Sequence, residues 1–226
     1  MNLLAIETAT QACAVGVRTS AGHEVARVLD VERRHTEVLV AGMSALLEEC
    51  GLLPRDVECV VVDIGPGLFT GLRVGIATAI GFAEGLGCGL VGVTSLELLA
   101  HGAFDEGVRG TVVAAVDGRR GEVFVQAFEL DGGVEALGQP SVDVPRDVVI
   151  EWATNGAAVT FTGDGVERYF DDFNAVPNGE LFSQSVPSVH AALLLGSSRP
   201  AGATVAPLYL READAVANFT TRQRHP

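Results

Sequence analysis

The sequence predicts an α/β protein built of two lobes that each open with strands, and three observations carry this. Strand-like alternation fills the first thirty residues, helical spacing takes over after Arg33, and a strand–turn–strand opening returns after residue 110. "NLLAIETA", "QACAVGVRTS" and "HEVARVLDV" read as a three-stranded meander, its last two strands joined at the Ala21-Gly22 turn. Val38, Leu39, Met43, Leu46 and Leu47 then recur at helical spacing, so a helix is expected from about Thr36 to Glu49, closed by Gly51 and Pro54. "VECVVVDIG" reads as a buried strand, Thr70 to Leu86 as a second helix and "CGLVGVTS" as a short strand. Thr94 or Ser95 can cap the helix "LELLAHGA" that follows.

"FDEGVRG" at 104–110 looks like a boundary, dividing the chain into an N-terminal lobe, 1–105, and a smaller C-terminal lobe, 106–226. The second lobe begins with "TVVAAVD", the turn "GRRGE" and "VFVQAFEL". It continues through an amphipathic stretch near 145–153, the strand "AVTFTGDG", a helical "VERYFDDF", a polar loop and the helix "VHAALLLGSS". The tail beyond about residue 217 is expected to fray. Three meander strands, a helix, a strand, a helix and a strand describe a ribonuclease-H-like lobe. Two such lobes describe the actin-like ATPase (ASKHA) superfamily.

Composition narrows the chemistry. Fifteen basic residues face twenty-nine acidic ones, for a formal charge of −14, and every basic residue is arginine. A lysine that grips phosphate or forms a Schiff base is therefore excluded, and the net charge repels a nucleic-acid backbone. The four cysteines, Cys13, Cys50, Cys59 and Cys88, form no CxxC pair and read as core thiols. No apolar run reaches the length of a membrane span, and "MNLLAIETATQ" lacks a basic leader region, so a cytoplasmic location is the expectation.

Several segments together resemble one family. "LLAIETATQACAVGV", "RRHTEVLVAGMSALLEECGL", "DIGPGLFTGLRVGIATAIGFAEGL", "GVTSLELLA", "AVDGRRGEVFVQAFE", "TGDG" and "PLYLREADA" are similar, in order and spacing, to the TsaB (YeaZ) family. The resemblance implies a two-lobed actin-like fold and a role as dimerisation subunit in making threonylcarbamoyladenosine in tRNA. It implies pairing with a homologous catalytic subunit, TsaD, which transfers the threonylcarbamoyl group to N6 of adenosine 37 in tRNAs reading codons that begin with A. A TsaE-type ATPase is implied as a third subunit. The family usually has a serine where this chain has Leu68, which favours packing over a polar role for that loop.

The catalytic relatives carry an HxxxH pair for metal, but four residues after His35 stands Leu39, so no metal site is expected. Many members of the fold have Asp where Glu7 stands, and the extra methylene disturbs a phosphate-side carboxylate. Glu7, Thr8, Thr10, Gly163, Asp164 and Gly165 leave room for weak ATP or ADP binding at a subunit boundary, whereas short Gly-Asp-Gly turns also arise for conformational reasons. No HExxH or GxSxG supports a peptidase. Arg33–Arg34 and Arg119–Arg120 read as solvated doublets, with 118–121 a hairpin turn.

Small residues on the second helix offer the sharper signal. Gly71, Gly75 and Ala79 lie four apart, as do Ala77, Gly81 and Gly85, although each helical glycine costs up to about 1 kcal/mol against alanine. The expected partner interface is Leu39, Met43, Leu46, Gly71, Gly75, Ile76 and Ala79, with Gly75→Trp expected to leave the monomer folded and block pairing. In isolation the same face could pair with a second copy. tRNA is expected to engage only through the complex. The alternative is an independent ATPase or sugar kinase of the same superfamily.

Overall fold

The computed structural model describes residues 1–29, 35–202 and 204–211, without the side chains of 35–37. The His35 side chain, the Arg33–Arg34 doublet and the tail beyond Ala217 lie outside the described residues.

The first sheet has five strands. β1 (Leu3–Glu7), β2 (Cys13–Arg18) and β3 (Glu24–Leu29) form the antiparallel meander, and β4 (Cys59–Asp63) and β5 (Gly89–Val93) add in parallel, giving the order β3-β2-β1-β4-β5. β1 and β4 are buried at every position. This is why both read as continuous apolar runs: they are central strands covered on both faces. α1 (His35–Glu49) and α2 (Phe69–Leu86) pack on one face, with Leu39, Met43, Leu46, Leu47, Ile76 and Ala79 meeting Leu4, Ile6, Val60 and Val62. α2 stops at Gly87, whose φ of +70° is a left-handed cap that glycine adopts freely.

α3 (Ser95–Asp105) leads to the second sheet, its N-terminus capped by Thr94, which accepts from the Glu97 amide at 3.2 Å. β6 (Gly110–Arg119) and β7 (Glu122–Leu130) form the hairpin, with the short β8 (Glu135–Ala136) and β9 (Ser141–Asp143) beside β7. After α4 (Pro145–Asn155), β10 (Val159–Thr162) joins β6 in parallel. β11 (Gly179–Phe182) follows beyond α5 (Asp164–Arg168) and α6 (Phe170–Phe173). The order β11-β10-β6-β7-β8 repeats the first sheet's logic: an antiparallel opening with parallel strands added on the other side of its first strand. The molecule is thus two ribonuclease-H-like lobes in the actin-like arrangement. β11 falls in a stretch the sequence reads as a polar loop, because four residues flanked by Asn178 and Gln184 are too short to show a period.

α7 (Val189–Ser198) returns to the first lobe. Its Val189, Ala191, Ala192, Leu193 and Leu195 cover Leu3, Ala5, Ala14, Cys59 and Val61 on the sheet face opposite α1 and α2. Gly196 lets it lie close, since a Cβ there would sit 2.2 Å from Val61 Cγ2. The packing units are therefore not two consecutive halves of the chain. A sheet with helices on one face must find cover for the other, and the helix that supplies it comes from the end of the chain.

Candidate functional site

Two turns meet at the C-terminal ends of the central strands β1 and β4. The loop after β4 closes on the turn after β1, with the Leu68 amide donating to Ala9 O at 2.6 Å and the Thr8 hydroxyl donating to Gly71 O at 2.9 Å. Gly67 must be glycine, because a Cβ would sit 2.1 Å from Ala9 O. Leu68 precedes α2 without a side-chain cap and forms part of a cleft wall, half-buried.

Glu7 is fully buried at this junction, its Oε1 accepting from the amides of Ala9 (2.7 Å) and Thr10 (3.3 Å). Asp63 is equally buried and accepts from the Gly65 amide at 2.7 Å and Ser95 Oγ at 2.8 Å. Burial, then the nearby Asp63, holds the Glu7 carboxyl well above the usual carboxylate range. Burial pushes Asp63 up to about 7 against the opposing pull of its hydrogen bonds. Across from them Asp164 accepts from the Asp117 amide at 2.9 Å, and burial raises it to about 6. Asp117 is held by Arg119 Nη1 at 3.2 Å and Arg168 Nε at 3.4 Å.

The structure brings Glu7, with Thr8 and Thr10 beside it in sequence, within electrostatic reach of Asp164 in the Gly163–Gly165 turn. Thr8 is spent on the α2 backbone and Thr10 is buried. Gly163, at φ +115°, and Gly165 are glycines because a Cβ would sit 2.1 Å and 2.9 Å from Ala115 O. That crowding lets α5 start against β6. A phosphate brought here would meet the buried carboxyls of Glu7 and Asp63 and the part-buried carboxyl of Asp164. Among the described residues no group of three or more His, Cys, Asp or Glu is arranged to hold a metal, and no helix is long and apolar enough to cross a membrane.

Four arginines, Arg73, Arg119, Arg120 and Arg211, line a neighbouring cleft of about 590 Å³ together with Asp117, Leu68, Phe69, Phe124 and Tyr209. The Arg73 guanidinium lies 3.6 Å from the Phe69 ring centroid, and its Nε donates to Tyr209 Oη at 3.2 Å. Arg211 reaches Glu122 and donates to Gly118 O at 3.1 Å. Arg119 and Arg120 occupy the hairpin turn at φ of +61° and +56°, a left-handed conformation costly for arginine. The sequence reading finds that turn but not the cleft, since Arg73, the Arg119–Arg120 pair and Arg211 come from three separate segments.

The expected interface residues turn out to face inward. Leu39, Met43, Leu46, Gly71, Gly75, Ile76 and Ala79 are all buried against this lobe's own sheet. A Cβ on Gly75 would lie 2.1 Å from Thr8 Oγ1, so Gly75→Trp would disrupt the lobe rather than spare it. The outward face of the two helices is a different set. On α1 it includes Val40 (58% exposed), Ala41, Ser44 and Ala45, with Glu48 and Glu49 in the last turn; on α2 it includes Phe69, Thr70, Arg73, Ala77, Gly81, Glu84, Gly85 and Leu86, with Val74 and Thr78 half-buried beside them. Gly81 and Gly85 have open space where a Cβ would be. A shallow groove of about 490 Å³ runs along this face past Phe69, Arg73, Val74, Ala77 and Thr78.

Residues 29–183 match the family described as TsaD, tRNA N6-adenosine threonylcarbamoyltransferase. The chain is also 33% identical over 165 residues to the tRNA threonylcarbamoyladenosine biosynthesis protein TsaB of Escherichia coli K12, covering 69% of this chain and 71% of that protein. The chain belongs to the TsaB (YeaZ) family. The TsaB of Bacillus subtilis is 25% identical over 99% of this chain and all of its own length. Among solved structures, YeaZ from Pseudomonas aeruginosa has a TM-score of 0.76 at 28% identity, covering 87% of this chain and 91% of its own. Another from that organism, described as similar to the peptidase YEAZ, has a TM-score of 0.82 at 28% identity, covering 93% and 99%. TsaB membership accounts for both sheets together, because these likenesses run through the two lobes.

Proposed function

We infer that this chain takes part in tRNA threonylcarbamoyladenosine biosynthesis as a non-catalytic scaffold. It pairs with a TsaD-type catalytic subunit that modifies N6 of adenosine 37. The observation that carries the reading is the outward face of α1 and α2. Small and apolar residues recur there at helical spacing over three turns, and two glycines open the backbone to close approach. Alone, the same face can bury itself against a second copy. The TsaE-type ATPase joins the pair, and tRNA is engaged through the complex, since a charge of −14 repels it from this chain alone.

The buried carboxyls favour this scaffold reading over an independent ATPase. A nucleotide, where one binds, is held instead by the arginine-lined cleft, which shares Phe69 and Arg73 with the outward groove and so lies at the subunit boundary. The deciding experiment is reconstitution with the catalytic subunit, the ATPase, tRNA and threonylcarbamoyl-adenylate. Multiple-turnover modification should depend on this chain, while the chain alone should neither modify tRNA nor hydrolyse ATP above background. Modification at an equal rate without it, or ATP turnover by the chain alone, would overturn the reading.

A further inference from the structure

β1 and β4 are parallel neighbours with Ile6 opposite Val62, so the next residues along, Glu7 and Asp63, stand side by side on the same face of the sheet. Both are fully buried, and one oxygen of each carries the hydrogen bonds described above. The other oxygens, Glu7 Oε2 and Asp63 Oδ2, are buried without a hydrogen-bond partner. Two ionised carboxylates in this position would repel each other, and each would leave a charged oxygen unsolvated. A single proton between them removes both penalties. Neighbouring strands are about 4.8 Å apart, a gap that the longer glutamate side chain can close to hydrogen-bond length.

We propose that Glu7 and Asp63 share one proton between Oε2 and Oδ2, forming a carboxyl–carboxylate bond that ties the turn after β1 to the turn after β4. The proton comes from water as the lobe folds and returns to water when the pair ionises. Among the described residues the surroundings supply no competing cation. The Cys13 thiol of β2, pushed up to about 12 by burial and then by the Glu7 carboxyl, lies on the opposite face of the sheet with Ile6. From α5 comes the Asp164 carboxyl, and from α3 the neutral Ser95 hydroxyl. Asp117 of β6 lies one step further, against Asp164, and Arg119 and Arg168 are occupied with Asp117. The bond matters beyond the core because the two turns it joins set the start of α2, through Leu68 to Ala9 and Thr8 to Gly71.

Both carboxyls hold protons more tightly in the folded chain than in the unfolded chain, where such groups titrate near about 4. The stability they contribute is therefore full on the acid side and is lost as the pH rises toward the folded values, about 7 for Asp63. The test compares wild type, Glu7→Gln and Asp63→Asn by thermal unfolding between about pH 5 and pH 8. The wild-type midpoint should fall across this window. In Glu7→Gln the fall above about pH 6 should be absent, because the amide donates to Asp63 at every pH, and only the part due to Asp164 should remain. Infrared spectra of wild type with labelled glutamate and aspartate carboxyls should show a protonated-carboxyl stretch near neutral pH that either substitution removes. No such band in wild type, or the same pH slope in Glu7→Gln as in wild type, overturns the proposal. If neither variant folds, the wild-type spectrum alone decides.

Discussion

A Gly75→Val chain should fail to accumulate as folded protein, whereas Gly81→Ala, six residues along the same helix, should be neutral or slightly stabilising. Gly75 sits where α2 crosses the end of β1, and a Cβ there would lie 2.1 Å from Thr8 Oγ1. That hydroxyl is buried and donates to Gly71 O, so it cannot swing aside without losing its bond. Even Gly75→Ala should cost about 1–3 kcal/mol as an overpacking change. The branched valine must lift the helix, uncovering Leu72, Ile76 and Ala79 from the sheet. That loss rivals the whole stability of a domain, about 5–15 kcal/mol. Gly81 has nothing near its missing Cβ, and alanine there gains up to about 1 kcal/mol of helix propensity. Urea unfolding of Gly75→Ala, Gly81→Ala and the double change Thr8→Ala with Gly75→Ala separates these terms, since removing the Thr8 hydroxyl should restore part of the loss.

The second large effect is on association. Gly81→Trp should leave the urea midpoint of the isolated chain within about 0.5 kcal/mol of wild type, as expected of an exposed site. The same change should weaken pairing with the catalytic subunit by about 100-fold or more, roughly 2.7 kcal/mol. An indole at this position holds two helix backbones apart over the stretch where Ala77 and Gly85 would otherwise allow contact. Ala77→Asp should act in the same direction by leaving a carboxylate buried and unpaired. Calorimetric titration reads both, and unchanged affinity with either variant would move the interface away from α2.

The contrast between the two glycines shows what could and could not be read from the sequence. Strand-first lobes, the helix near 36–49, a cap at Thr94 or Ser95 and the second strand–turn–strand opening are legible because each follows from local periodicity or capping chemistry. α2 is harder, since it carries small residues on two stripes four residues apart and either could face the sheet. The deciding signal was present: Leu72, Ile76, Ala79 and Ala83 continue the stripe of Gly75, and large apolar groups mark the buried side. The glycines alone point to the wrong face, because a missing side chain carries no preference for burial. Glu7 was legible as a departure from a phosphate-side aspartate. Its neighbour Asp63 was visible only as a strand end, because nothing local reveals that β1 and β4 pair. The return of α7 to the first sheet and the gathering of Arg73, Arg119, Arg120 and Arg211 around one cleft are likewise products of long-range packing.

The most direct measurement is hydrogen–deuterium exchange of this chain alone at low concentration and in the presence of excess catalytic subunit. Added protection should concentrate on peptides from α1 and α2, spanning Val40 to Ala45 and Thr70 to Gly85, with little change in β6 to β11. Protection confined to the second lobe, or none anywhere under conditions where the two proteins co-elute, would contradict the account.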